Sequence, residues 1–425
     1  MRKINSPVVA LTLLGVLVSS AMSVHAEEQA IEKLKTMHVS GTDPNLPLVP
    51  QTGKNADAIK ENLKRIKMPP GFNIDLYAIV PDARHMAVAP STNMLFVGTR
   101  KTSVWAVTNR NSGDTATEVK QFAPSLKFSQ PNGVCWTKDG FLVVAEHNRV
   151  LNFPAAEFFY EGPDVAVMEV VPQGKLIPVE DESYNHGARV CRVGKDGQLY
   201  ITLGQPFNVP PREKLKEFAQ WGIGGIVRMD PFNGSKREVY ATGIRNSVGL
   251  DFNPKNNDLW FTDNQTDGMG EDIPAGEMNR ATKKGQFFGY PYINGKTRIA
   301  ENGYDKDPLP ANTVAPEVYM DAHAADLGMA FYTGDKFPAK YRGGIFSAQH
   351  GSWNRSSPIG ARLMFTSLKA DGSADKTEVF AEGWLDAKTR QYRGRPVDVA
   401  NLPDGSILVS DDFAGAIYRI SYTGI

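Results

Sequence analysis

The chain has 425 residues, and its 47 basic and 47 acidic side chains cancel to a formal net charge of zero. That balance excludes the basic footprint of a nucleic-acid or anionic-membrane binder, and 41% hydrophobic with 10% aromatic content excludes a disordered chain. The 39 glycines and 28 prolines point to many turns and away from a helical bundle, while two cysteines exclude a disulfide framework or a cysteine-built metal centre.

The first 26 residues read as a secretion signal. Met1-Arg-Lys3 is a basic start, Val8 to Val18 an apolar core, and Val24-His-Ala26 a small-x-small cleavage site. The apolar run is too short to cross a bilayer. The chain is therefore expected to be exported, periplasmic or secreted, with no membrane span. Residues 27–68 read as a polar N-terminal extension with one short helix between Asp57 and Met68. The extension is expected to be removable, because the repeating part of the chain starts at Pro69.

From Pro69 onward one pattern recurs: an apolar strand, a tight polar turn, a second apolar strand. It occupies 85–97, 133–144, 188–201, 248–261 and 397–409, with a degenerate copy from Leu327 to Ser347. Asp139-Gly140, Asp196-Gly197 and Asp404-Gly405 at the turns are strong hairpin signals, since such turns need positive φ. The anchor residues Leu95, Leu142, Leu199, Leu259, Ile345 and Ile407 recur every 50 to 90 residues or so, and a four-stranded blade takes about 40–45. Six repeats predict an all-β fold, a six-bladed β-propeller over residues 69–425. A β-sandwich would not explain repeats this long. The segment Gly71 to Ala78 is expected to pair with the last blade and close the ring, leaving no open sheet edge.

Residues just before each inner strand of a propeller point to one end of its central channel. Here they are Arg84, Asn132, His186 with Arg189, Arg245 with Asn246, His323 and Arg395, and His350-Gly-Ser-Trp-Asn-Arg355 follows the second strand of the degenerate repeat. A set rich in Arg, His and Asn suits a ligand carrying carboxylates and carbonyls. Any one of these arginines is as well explained by an ion pair between blades; the whole set is not.

The ordered series Gly243-Ile-Arg-Asn246, Leu259-Trp-Phe-Thr-Asp-Asn264, Asp272-Ile-Pro-Ala-Gly-Glu-Met-Asn279 and Gly289-Tyr-Pro-Tyr292 resembles the PQQ-dependent soluble aldose dehydrogenases, most of all their L-sorbosone and pyranose dehydrogenase branch. Tyr332-Thr-Gly-Asp335, His350-Gly-Ser-Trp-Asn-Arg355 and Arg395-Pro-Val-Asp-Val399 match the same branch. The resemblance implies pyrroloquinoline quinone at the channel mouth. By similarity His186 is the general base, Arg245 lies beside the reactive quinone carbonyl, and Asn246 is its neighbour. Arg84 and Arg395 match carboxylate-binding arginines, His323 and Trp353 lie in motifs lining the cofactor face, and Asn132 and Arg189 join the cofactor-binding set. The resemblance also implies Ca2+ held by backbone carbonyls in the loop after the fourth blade's second strand, here at Gln265 and Thr266. A sugar, a sugar aldehyde or a related polyol is the expected substrate. With no second redox centre legible, electrons are expected to leave to a soluble acceptor, a small cytochrome.

The sequence departs from that family at Gln205-Pro-Phe-Asn-Val-Pro-Pro211, where a cysteine-bearing loop is usual, and over 147–183. Six-bladed propellers also serve as lactone hydrolases and as non-catalytic binding modules, so both alternatives stand at this point. Cys135 and Cys191 occupy similar places on neighbouring inner strands. A bridge needs Cα atoms within about 7 Å, while packed sheets lie about 10 Å apart. Two buried thiols are expected, although an exported setting also permits the bridge.

Overall fold

The computed structural model describes residues 37–41, 46–109, 114–161 and 164–424, with only the backbone described for 37–41 and 164. The proposed secretion signal, 1–26, lies outside the described residues, and no helix among those described is long and apolar enough to cross a membrane. The fold is the expected six-bladed β-propeller. Its inner strands are Met86–Val88, Gly133–Trp136, Cys191–Val193, Leu250–Phe252, Asp326–Phe331 and Pro396–Asn401, one for each of blades I to VI. Each pairs antiparallel with the next strand in the chain: Leu95–Val97, Leu142–Ala145, Leu199–Leu203, Leu259–Asp263, Ile345–Gln349 and Ile407–Asp411. The hairpin turns obey their chemistry. Gly140, Gly197 and Gly405 have φ of 77, 76 and 84°, and Asn93 and Asn257 adopt the same left-handed region in blades I and IV, while blade V joins Phe331 to Ile345 through a longer connection.

Ring closure is as the sequence predicts. Phe72–Ile79 pairs antiparallel with Ala416–Tyr422, with Phe72 opposite Tyr422 and Ile79 opposite Ala416. Blade VI is thus built from both ends of the chain, and no blade edge faces the gap.

Near the axis the blades converge. A Cβ added to Gly249 would lie 2.1 Å from the Leu327 carbonyl oxygen, and one on Gly133 would lie 2.8 Å from that of Arg189. Only glycine admits such backbone approach. The same convergence overturns the expectation of two free thiols: Cys135 and Cys191 form a disulfide, with Cα atoms 5.9 Å apart. The 10 Å spacing holds for whole sheet faces and fails for inner strands packed radially around an axis. Across the channel, the fully buried His85 of blade I sets Nε2 2.9 Å from the Val248 carbonyl of blade IV, with Nδ1 3.4 Å from Asp398. This crossing separates the two ends of the channel.

The N-terminal segment is not the free lead-in expected from its polarity. The helix Lys54–Leu63 buries Ala56, Ile59 and Leu63 in an aromatic cluster with Phe72, Phe337, Tyr341, Phe346, Phe380 and Trp384. Lys67 exchanges two backbone hydrogen bonds with Glu382, and the Gln51 amide satisfies both backbone groups of Ile79. One apolar stripe at helical spacing decides the packing, whatever the average polarity of the segment.

Candidate active site at the channel mouth

At the end of the channel where the inner strands begin lies a cavity of about 650 Å³. Of the residues singled out from sequence, Arg84, His186, Arg245, Asn246, Gln265, His323 and Trp353 line it. Asn132, Arg189, Thr266 and Arg395 do not; they stand behind the wall. Asn132 accepts from Arg84 Nε at 2.7 Å and donates to the Arg189 carbonyl at 2.7 Å. Arg189 is fully buried and donates to the carbonyls of His147, His186 and Gly204, fixing the loop that carries His186. Arg395 donates to the carbonyls of His350 and Gly351, at 3.0 and 2.5 Å. Thr266 is tied through its N–H and hydroxyl to Asn294.

His186 sits in the left-handed region, φ 57°, which turns its side chain toward the cavity. Its Nδ1 lies 2.6 Å from the Gln205 carbonyl, so Nδ1 carries the proton and Nε2 presents a lone pair. Burial, then the Arg245 charge, lowers its pKa from 6.5 to about 3, while the Gln205 carbonyl pulls the other way. The imidazole is therefore neutral at ordinary pH. His323 is arranged differently: Nε2 faces the carbonyls of Gly270 and Ile273, at 2.7 and 3.1 Å, and Nδ1 accepts from Asn354. Both its nitrogens are committed to protein partners, which leaves it tying down the 270–273 loop.

Arg245 is held on every side. Its N–H donates to Asp263, Nη1 to the Asn264 carbonyl, and Nη2 to Asn208 Oδ1 and Asp267 Oδ2. Asp263 also accepts the Asn246 N–H at 2.7 Å. It faces Glu277 across the strand pair, and burial pushes both carboxyls upward. On the other side Asp412 bridges Arg84 and His350, at 2.5 and 2.7 Å, and the His350 contact and the Arg84 charge hold its carboxyl far below the usual range despite burial.

Arg100, Asn208, Asp267 and Asp412 were not found from sequence. Each follows the second strand of its blade, in the loop leading to the third. Those loops return to the same end of the channel as the strand-entry residues. The alternation of hairpins gives that signal, but the residue types alone do not.

The donor set fits an anionic, carbonyl-rich ligand, since guanidinium groups from three loops share one wall. For a hard cation, the fitting feature is oxygen: Asn246 Oδ1, Gln265 Oε1 and Asn354 Oδ1 are buried acceptors without a partner. Among the described residues no cluster of three His, Cys, Asp or Glu side chains is placed to hold a metal. A cation here would be held by carbonyl and amide oxygens.

The sequence profile of the glucose/sorbosone dehydrogenase family matches residues 168–419, more than half of the chain. The chain belongs to that family. An uncharacterized protein of Borreliella burgdorferi is 30% identical over 377 residues, 87% of this chain and 94% of that protein. The aldose sugar dehydrogenase of Escherichia coli is 28% identical over 257 residues, covering 56% of this chain and 60% of that enzyme. The fold also matches the holo form of the pyranose dehydrogenase PQQ domain from Coprinopsis cinerea, with TM-score 0.64 at 17% identity, over 89% of this chain and 99% of that one. As a glucose/sorbosone dehydrogenase family member the chain is an oxidoreductase of the sugar dehydrogenase class, and its cavity stands where the sequence placed the site.

Proposed function

We propose that this chain oxidises a sugar, a sugar aldehyde or a related polyol with pyrroloquinoline quinone and Ca2+, His186 being the general base. The observation that carries this reading is the pinned His186 tautomer: Nδ1 held by the Gln205 carbonyl, Nε2 free, on the wall of a cavity ringed with guanidinium groups. When bound, the quinone supplies the two-electron acceptor and Ca2+ the Lewis acid. Arg84 and Arg245 hold the anionic cofactor, with Asn246 beside them, and backbone oxygens of the 264–267 loop with Gln265 Oε1 hold the cation. His186 takes the hydroxyl proton of the substrate at Nε2. An imidazole held near 3 is a weak base; burial is the first cause, and the positive charge of Arg245 and its neighbours adds to it. An anion among those arginines offsets the charge part of that shift and raises the basicity of the imidazole. Trp353, 76% exposed, stands at the entrance as a face for the incoming ring.

With both thiols joined in a disulfide, electrons leave to a soluble acceptor, for which a small cytochrome is the expected class. Cleavage after Ala26 would place the reaction outside the cytoplasm. The test is reconstitution of the purified protein with quinone and Ca2+. Dye reduction with aldoses is expected, abolished by a chelator that also releases the quinone. Lactone hydrolysis without dye reduction would replace this reading with a hydrolase, and neither activity would leave a binding module.

A further inference from the structure

Five arginines cluster at the channel mouth, and four of them have protein acceptors for their guanidinium groups. Arg84 is held by Asn132 and Asp412, Arg245 by Asn208 and Asp267, and Arg189 and Arg395 by backbone carbonyls. Arg100 differs. It lines the cavity, and its backbone N–H is anchored on Asp82 at 2.8 Å, but no acceptor among the described residues lies within hydrogen-bond range of its guanidinium. Its one side-chain contact of note is the ring of Tyr184, whose centroid lies 5.3 Å below the guanidinium carbon. Asp412 and Asp82 act on it only at a distance; a half-buried guanidinium that no acceptor pairs directly is costly, and an anionic ligand removes that cost.

We propose that Arg100 is a carboxylate-binding residue of this cavity and that it selects acidic sugars, hexuronates in particular, as substrates. The inference rests on the dehydrogenase reading above and deepens it. The placement carries the argument. Tyr184, on which Arg100 stacks, is two residues before His186, and the Arg100 charge reaches the imidazole. Arg100 therefore stands between Arg84 and the base, within reach of a sugar held at His186. A planar guanidinium binds carboxylate through two parallel N–H donors, and Tyr184 keeps that plane oriented. Arg100 takes no part in electron movement. A carboxylate on it also removes part of the positive field at His186, so the acidic substrate makes its own base stronger.

A carboxylate at Arg100 has two possible sources, the substrate and the quinone cofactor, and the experiment separates them. Protein loaded with quinone and Ca2+ is assayed with D-galacturonate and D-galactose, as wild type, Arg100→Gln and Arg100→Lys. The galacturonate-to-galactose ratio of kcat/KM is expected to fall about ten- to a hundredfold in Arg100→Gln and to be partly kept in Arg100→Lys, the range for one charge-assisted hydrogen-bonded contact. Quinone affinity is measured separately by fluorescence titration of the apoprotein. A tenfold weaker quinone with an unchanged ratio assigns the carboxylate to the cofactor and overturns the substrate choice. Ratio and quinone affinity both within twofold of wild type, in a variant with unchanged melting temperature, overturn the proposal altogether. If no sugar is oxidised, the dehydrogenase reading fails by itself. Arg100 is then read by calorimetric titration with galacturonate and galactose. Preferential galacturonate binding that Arg100→Gln abolishes supports the assignment, and equal binding of the two overturns it.

Discussion

The two ends of the central channel are made from the same six inner strands and are chemically opposite. Where the strands begin, the cavity of about 650 Å³ is walled by Arg84, Arg100, Arg245, His186, His323 and His350. Where they end, a cavity of about 330 Å³ is lined largely by Met86, Val88, Val134, Phe331 and Val399, its charges being Arg192 and Asp251, 3.8 Å from each other. The difference follows from connectivity. In five of the six blades the far end is closed by a tight hairpin leading into the second strand, whose residues are spent on turn geometry. The near end receives both the strand-entry loops and the longer loops between second and third strands, which have room for chemistry. His85, reaching across to Val248, divides the two.

The comparison breaks most sharply at the base. His186→Gln is expected to lower turnover by about 10²–10⁴ while quinone binding measured by titration persists. Thr333→Ala, an exposed position lining the far cavity, should change turnover by less than about twofold. Equal losses from both would mean that the far end takes part in the reaction.

A smaller effect separates the mouth from the wall of the ring. Deleting residues up to 68 removes the burial of Ile59 and Leu63, at about 1.5–3 kcal/mol each. Thermal unfolding of the truncated chain should occur at a clearly lower temperature, with turnover at low temperature retained because none of the described residues of this segment lines the mouth. An unchanged melting temperature would show that the helix packs without stabilising.

The disulfide comes next. Cys135 borders the far cavity and is joined to Cys191 across 56 residues, a loop whose closure is worth about 2–4 kcal/mol. Reductant should lower the melting temperature of the wild type and leave a Cys135→Ser, Cys191→Ser double variant unmoved, with turnover alike in both.

The smallest effect is the titration of the mouth itself. Burial lowers the pKa of His186 to about 3 and of His147 to about 4, both below the ordinary 6.5. Each gains stability from staying neutral that is fully present above about pH 6.5 and is lost as pH falls toward those folded values. Imidazole resonances followed by NMR should show midpoints well below 6 in the ligand-free protein, and an anion in the cavity should move the His186 midpoint upward. A midpoint near 6.5 without ligand would remove the positive field from the account.

The blades were legible because Asp-Gly and Asn turns between apolar runs leave few other readings, and because closure needed one more strand than the repeats supplied. The near-end cavity was legible through the strand-entry positions, of which Arg84, His186 and Arg245 line it. The same rule also picked out Asn132, Arg189 and Arg395, which precede inner strands yet turn into the wall, because side-chain direction at a loop depends on φ and on neighbouring carbonyls. Arg100 and Asp412 were hidden for the converse reason: they belong to loops after second strands, and nothing in a lone Arg or Asp there shows which end of the channel it faces. The cysteine pairing was misjudged because a mean sheet spacing was applied where strands crowd around an axis. The short helix was expected, between Asp57 and Met68; its packing was misjudged, because three buried positions in ten are invisible in an average over a polar segment.

Closure of blade VI by Phe72–Ile79 brings the start and end of the propeller side by side, with Phe72 opposite Tyr422. The order in which the blades follow one another along the gene is then incidental to the ring. A short linker from residue 424 to residue 69, with new termini opened at the Asp139-Gly140 turn of blade II, would give a circular permutant that keeps the strand pairs formed within residues 69–424 and gives up the outer Met37–Gly41 strand of blade II and the helix Lys54–Leu63. In such a permutant the seam moves from blade VI to blade II, and the channel mouth, whose loops are all uncut, is expected to keep its chemistry.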